Sequence, residues 1–218
     1  MRFFWNMILL ILLAISVSFC RKNEEVIVIS GKVIDQGQNN PLEGARVELW
    51  AQKVESGIYS ANYDSYGAAI TDNEGNFSFD LPNNTYISVK LNFSKTNYYA
   101  WEYEIDGEVL RNDFLHHETY QMQAKAWIQF IIRNGDPVDS GDYFEFRIMN
   151  GYVDCENCCT SETMIFTGTG IDQDFICQMA GHTDVAIRWN SRKGGEQKGN
   201  TELYFIPSFD TTRVEFVY

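Results

Sequence analysis

The chain has 218 residues with 17 basic and 30 acidic side chains, a net charge of −13, and 15% of its residues are aromatic. A surface of that sign repels phosphate backbones and anionic headgroups, which argues against nucleic acid as a partner and against electrostatic attachment to a membrane. The aromatic content argues against a disordered chain, and roughly 198 residues beyond the leader are enough for one large or two small cores.

Residues 1–20 begin with one cation at Arg2, continue through the apolar run MILLILLAI and end in Ser16-Val17-Ser18-Phe19-Cys20. The run is too short for a comfortable membrane span and reads as a secretory signal, excluded from the fold. Its end resembles a bacterial lipobox, which implies cleavage before Cys20 and a diacylglyceryl group on its thiol. Phe19 departs from that pattern, because the position normally holds a small residue. A cut after Ser18 by ordinary signal peptidase is the competing reading. Cysteine count favours lipid: five cysteines less Cys20 leave Cys155, Cys158, Cys159 and Cys177, an even set suited to an oxidising compartment. Removing Arg2 from the 17 basic residues leaves 16 against 30 acidic, a net charge of −14, so the lipid on Cys20 has to supply the membrane contact. Residues 21–25 are a charged tether. Lys22 with Glu24-Glu25 resembles the signals that send some Gram-negative lipoproteins to the cell surface, and a plain solvated linker stands beside that reading.

From Ser30 to Pro82 the chain carries two blocks of alternating character. Ala45, Val47 and Leu49 alternate with Arg46, Glu48 and Trp50, a half-buried strand, and Asn39-Asn40-Pro41 with Gly44 frames a turn before it. Further on, Asp72-Asn73-Glu74-Gly75-Asn76 interrupts two β-like runs, and Phe77, Phe79 and Leu81 alternate with Ser78 and Asp80, which predicts a hairpin. The succession SGKVID, PLEGARVELW and TDNEGNFSF resembles the carboxypeptidase regulatory-like domain, a transthyretin-like β-sandwich, over residues 26–124. The resemblance implies an accessory or recognition module and says little about activity. The insertion from Gln52 to Tyr66 departs from the family pattern. Its Tyr59, Tyr63 and Tyr66 lack strand periodicity and are candidates for an exposed contact surface.

Two more alternating runs follow, Ile87 to Phe93 and Tyr99 to Ile105, and the stripe Tyr99, Trp101, Tyr103 opposite charged residues reads as core rather than as a sugar platform. Residues 105–123 read as a connection with one short strand. A second sheet-forming half begins at Trp127-Ile128 and continues through Phe144 to Ile148, Val185 to Trp189, Leu203 to Ile206 and Val214 to Tyr218, with a flexible hairpin loop from Gly194-Gly195 to Asn200. The expected organisation is all-β: two β-sandwiches in tandem, residues 26–124 and 125–218, the first transthyretin-like, with no recognisable internal repeat and essentially no helix after the signal.

Chemistry is sparse. Cys155-Glu156-Asn157-Cys158-Cys159, with Cys177 and His182 downstream, could be half of a zinc site, but no second Cys-x2-Cys pair exists and an exported chain meets oxidants first. Two disulfides are expected. A vicinal bridge between Cys158 and Cys159 would strain the backbone, so one of them reaches Cys177. His116-His117-Glu118 lacks the second histidine of HExxH, since position 121 is Gln, and no Gly-x-Ser-x-Gly elbow or phosphate loop is present. Asp72 to Asn76 lacks the spacing of a calcium loop. The expectation is a non-catalytic, cofactor-free, lipid-anchored envelope protein, outer-membrane and disulfide-bonded, that binds an unidentified glycan, peptide or envelope protein. A structural subunit of a surface assembly is the alternative, and a hydrolase comes third.

Overall fold

The computed structural model describes residues 26–55 and 58–218, and only the backbone at Glu55, Ile58 and Tyr59. The signal segment, the tether and Cys20 lie outside the described residues. The regular secondary structure is nearly all strand, gathered around two separate cores. One is drawn from Ile27 to Ala124 and the other from Ala126 to Phe216.

The first half contains β1 (Val26–Asp35), β2 (Arg46–Glu55), β3 (Ile58–Tyr59), β4 (Asp64–Ile70), β5 (Asn76–Pro82), β6 (Tyr86–Ser94), β7 (Trp101–Asp106), the six-residue helix α1 (Gly107–Asn112) and β8 (Leu115–Met122). Strict alternation in β1 buries Ile27, Ile29 and Val33 on one side, as a period of two demands. One sheet has the order β5-β1-β8, and the other runs β3-β2-β6-β7 with β4 also on β2. At Gly31 any Cβ would sit 2.5 Å from the Tyr120 ring, so the absent side chain is what lets that ring lie across β1.

The turn at residues 72–76 is not a hairpin. β4 pairs with β2 and β5 pairs with β1, so the turn carries the chain from one sheet to the other. The corner is pinned at Thr71, whose hydroxyl donates to the Leu42 carbonyl at 2.6 Å and accepts from Ala45 N–H at 2.8 Å. Gly75, at φ 81°, lies so close on β1 that a Cβ would approach Val33 O to 2.4 Å. The segment read as a connection is more regular than its sequence suggests. Asp106 caps α1 by accepting from Glu108 N–H, Leu110 is buried, and β8 then pairs in parallel with β1 over eight positions.

The second half contains β9 (Lys125–Arg133), β10 (Tyr143–Ile148), β11 (Met164–Thr167), β12 (Asp172–Ala180), β13 (Thr183–Lys193), β14 (Glu196–Ile206) and β15 (Thr211–Val217). Its sheets have the orders β12-β9-β15 and β11-β10-β13-β14. Residues 196–200, expected as a loop, belong to β14, because Gly194 and Gly195 at φ 54° and 84° supply both positive-φ positions of a two-residue hairpin turn.

The two halves share one topology, a repeat that the sequence does not display. In each, the first strand is the centre of a three-stranded sheet with an antiparallel neighbour (β5; β12) and a parallel one (β8; β15). In each, the second strand pairs antiparallel with the next sheet strand (β4; β11) and with a later one (β6; β13), which in turn pairs with β7 or β14. Strand order and direction alone define the repeat; side chains at matching positions differ.

Only residues 123 and 124 separate β8 from β9. The turn after β6 is bonded to this link, with Tyr99 N–H to Gln123 O at 3.0 Å and Lys125 N–H to Asn97 O at 2.8 Å. The Gln123 amide donates to Gly181 O at 2.9 Å, and Gly181 N–H donates to Ala124 O at 2.9 Å. Tyr98, 8% exposed, lays its ring 5.3 Å from that of Phe209 and donates its hydroxyl to Asp35 Oδ2 at 2.9 Å. Asn97, His182 and Phe209 all take left-handed φ values here, 65°, 54° and 65°, conformations that survive only when neighbours over-determine them. The Asp35 carboxylate, 4% exposed, also accepts from Gly37 and Gln38 N–H.

Tyr98→Phe removes one donor from a buried carboxylate and is expected to lower stability by about 1–3 kcal/mol in urea denaturation, while Tyr98→Ala, which also strips the ring from Phe209, costs about 3–5 kcal/mol. Equal melting of both variants and the parent would show that the junction contributes nothing.

Candidate functional site

The tyrosines of the insertion are largely committed to the first domain. The Tyr63 hydroxyl is bonded to Ser88 Oγ and donates to Glu104 at 2.9 Å, with Lys90 Nζ 4.7 Å over its ring. The Tyr66 ring packs edge-on against Tyr86 at 6.0 Å. The Tyr59 backbone lies in β3, and its side chain is outside the described residues. Trp101 and Tyr103 pack on the first core, with Trp101 stacked 5.0 Å from Phe93. Tyr99 leaves that stripe for the junction, where its hydroxyl donates to Met179 O at 3.2 Å.

The histidines are dispersed. His116 Nε2 lies 3.8 Å from Glu118, His117 Nδ1 lies 3.0 Å from Ser30 Oγ, and the His182 ring rests edge-on against Phe205. In the turn at 72–76 the Asp72 carboxylate is used by the backbone itself, accepting from Asn76 N–H at 2.8 Å and Glu74 N–H at 2.9 Å, and these bonds hold it below the usual carboxylate range. Among the described residues no group of three or more His, Cys, Asp and Glu is placed to hold a metal, and no helix is long and apolar enough to cross a membrane.

The four cysteines form Cys155–Cys158 and Cys159–Cys177. Cys159 is buried and its N–H donates to Gln178 O, so the second bridge ties the long loop after β10 to β12 at the edge of its sheet. The first bridge closes only a surface turn.

The second domain carries a cleft on its flank between β14 and β15. These are edge strands of the two facing sheets, and the cleft between them measures about 350 Å³. Phe144, Trp189, Phe216 and Tyr218 form its apolar floor, with Phe144 and Tyr218 stacked at 4.9 Å and Trp189 6.2 Å from Phe144. Polar groups line its rim: Trp189 Nε1 donates to Glu202 at 2.8 Å, and Lys193 Nζ donates to Tyr218 O at 2.6 Å. Among the described residues the buried Tyr218 hydroxyl has no hydrogen-bond partner, and burial pushes its pKa up.

The first domain closes the matching flank with its own side chains. Tyr103 of β7 and Tyr120 of β8 place their rings 5.3 Å apart, Trp101 lies 6.4 Å from Tyr120, and α1 packs on β6 and β7. β14 offers Lys198 and Glu202 to the cleft instead of rings. Sequence reading missed this site because its residues come from four strands, and the one local signal was Glu202 at an inward position of the run TELYFI.

Loop length separates the two bridges: the chain-entropy cost of opening an 18-residue separation is about 3 kcal/mol and that of a 3-residue one about 1.6 kcal/mol. Replacing Cys159 and Cys177 by alanine should therefore lower the melting temperature clearly more than replacing Cys155 and Cys158. The reverse order would mean that the surface turn, not the β12 tie, is the stabilising element.

No protein-family model matches the chain, and no curated protein does. Solved structures similar to it include the Bacillus anthracis TIE protein (13% identity, TM-score 0.34), a streptococcal ancillary pilin (14%, 0.34) and the shaft pilin SpaA of Lactobacillus rhamnosus GG (7%, 0.33). The matches cover 87%, 89% and 87% of this chain and 33%, 62% and 97% of those proteins, so the chain spans about a third of the first and less than two thirds of the second. Overlap at this level is too small to carry a function to this chain.

Proposed function

We propose that this chain is a non-catalytic interaction subunit of the cell envelope, tethered by lipid on Cys20, which joins a surface assembly by accepting an extended segment of another chain at the open flank of its second domain. The observation that carries this reading is the cleft between the unpaired edges of β14 and β15, at the position that the otherwise equivalent first domain fills with Trp101, Tyr103 and Tyr120. An added strand would find two things there. β14 presents eleven residues of edge whose outward backbone groups have no partner strand among the described residues, and the floor of aromatic rings can bury alternate side chains. The tyrosine insertion offers less, since Tyr63 and Tyr66 are occupied within their own domain.

Two measurements test the reading. Cys20→Ser should move the protein out of the membrane fraction or leave the precursor uncleaved; unchanged mass and location would refute the lipid. Hydrogen exchange on the protein alone and within assemblies isolated from the envelope should show new protection of backbone amides in β14 or β15. A stoichiometric assembly with unchanged exchange in both strands, or a protein that stays monomeric in the envelope, would overturn strand addition.

A further inference from the structure

On the outer face of β10, β13 and β14, away from the cleft, an acidic protein gathers three arginines. Arg147 and Arg188 are direct cross-strand partners in the register of β10 and β13. Side chains so placed have Cβ atoms about 5 Å apart, and like charges there destabilise a sheet. Arg192 lies on the same face of β13, about 13 Å further along, and opposite Tyr143. All three are exposed, and among the described residues none makes an ion pair, although the chain has 30 acidic side chains to offer.

The one carboxylate between them, Glu145, accepts from the Tyr143 hydroxyl on one oxygen and from Asn190 Nδ2 at 2.8 Å on the other, and these bonds, with the Arg188 charge nearby, hold it below the usual carboxylate range. Three shallow depressions of about 130, 190 and 370 Å³ meet at Asn190. They are open because the residue facing Asn190 is Gly199, where a Cβ would come within 2.3 Å of the Asn190 amide oxygen. Their polar walls include Gln197, Asn200 and Thr201, each able to donate and accept.

We propose that this face binds a glycan bearing carboxylates, the Arg147 and Arg188 pair holding the acid group of one sugar and Arg192 that of a neighbouring one, with the amides and Thr201 taking hydroxyls. Paired guanidinium groups suit a planar carboxylate bidentately. The amide-lined depressions suit hydroxyls: the widest of them is mostly polar, with Gln197 and Thr201 in its wall and no apolar side chain among its lining residues, so an acidic peptide would find no apolar pocket in it. The inference is independent of strand addition at the cleft, because it concerns the opposite face and is tested on the isolated protein.

Calorimetry with short oligogalacturonides as the probe should show binding that weakens with salt, and neutral oligoglucosides should not bind. Arg147→Gln and Arg188→Gln should each weaken binding at least about tenfold while the melting temperature stays level or rises, since each relieves a like-charge pair. Arg188→Lys, which keeps the charge but loses the planar fork, should recover only part of the affinity. Absence of oligogalacturonide binding by the parent protein would overturn the proposal. So would equal or tighter binding of polyglutamate or of inorganic phosphate, lost in the same variants, because the face would then read an acidic polypeptide or a simple anion.

Discussion

Each domain depends on one pairing, that of its last strand in parallel with its first. β8 runs beside β1 and β15 beside β9, while nearly every other contact in the sheets is antiparallel. A parallel neighbour has to arrive from the far end of the domain, so the chain enters each sandwich at one end and leaves at the other. That direction sets the tandem arrangement. Met122 ends opposite Asp35, the chain passes through two residues, and β9 starts where the loops of the first domain can bond to it. Antiparallel closure would have returned the chain to its entry point and left no room for Asp35, Tyr98 and Phe209 to meet.

The junction and the two flanks show how one topology is put to different uses. At the junction three residues other than glycine accept left-handed backbone, and the buried Asp35 carboxylate is satisfied by two backbone donors and one phenol. On the flank, the first domain uses aromatic rings to join β7 to β8, whereas the second leaves Trp189 and Tyr218 beside open space and charged rims. The arginine face adds a third departure, since a direct Arg147 and Arg188 pairing contributes nothing favourable to the sheet itself.

Strands with one wet face were legible from the sequence, because a period of two survives in β1, β2, β6, β9 and β13 regardless of topology. Among the edge strands, β5, β7, β14 and β15 were legible at least in part, whereas β11 and β12 were not and β8 was read only as a short strand within a connection. β8 and β12 bury little, and LHHETYQM and DQDFICQMA lack alternation, so their β structure comes from partners distant in sequence. The same reason hides the repeat: the halves agree in pairing, which no local pattern encodes, and α1 exists only in the first. Gly194-Gly195 read as flexibility, though two successive glycines satisfy a tight turn equally well. Of the candidate sites, the cysteines were visible as a cluster, while which of Cys158 and Cys159 reaches Cys177 was left open until the structure paired Cys159 with it. The cleft and the arginine face were not visible, since each is assembled across strands whose register the sequence does not state.

The parallel closure also decides how the first domain meets a mechanical load. If the chain is held ahead of β1 and pulled from beyond β8, the two strands are drawn in opposite directions along their common axis. The eight paired positions from Val28 and Leu115 to Asp35 and Met122 then resist together, in shear, instead of opening one at a time like a zipper. A domain joined in this way is strong along the line between an anchor and whatever the next domain holds, and its resistance comes from the geometry of two strands rather than from any covalent cross-link.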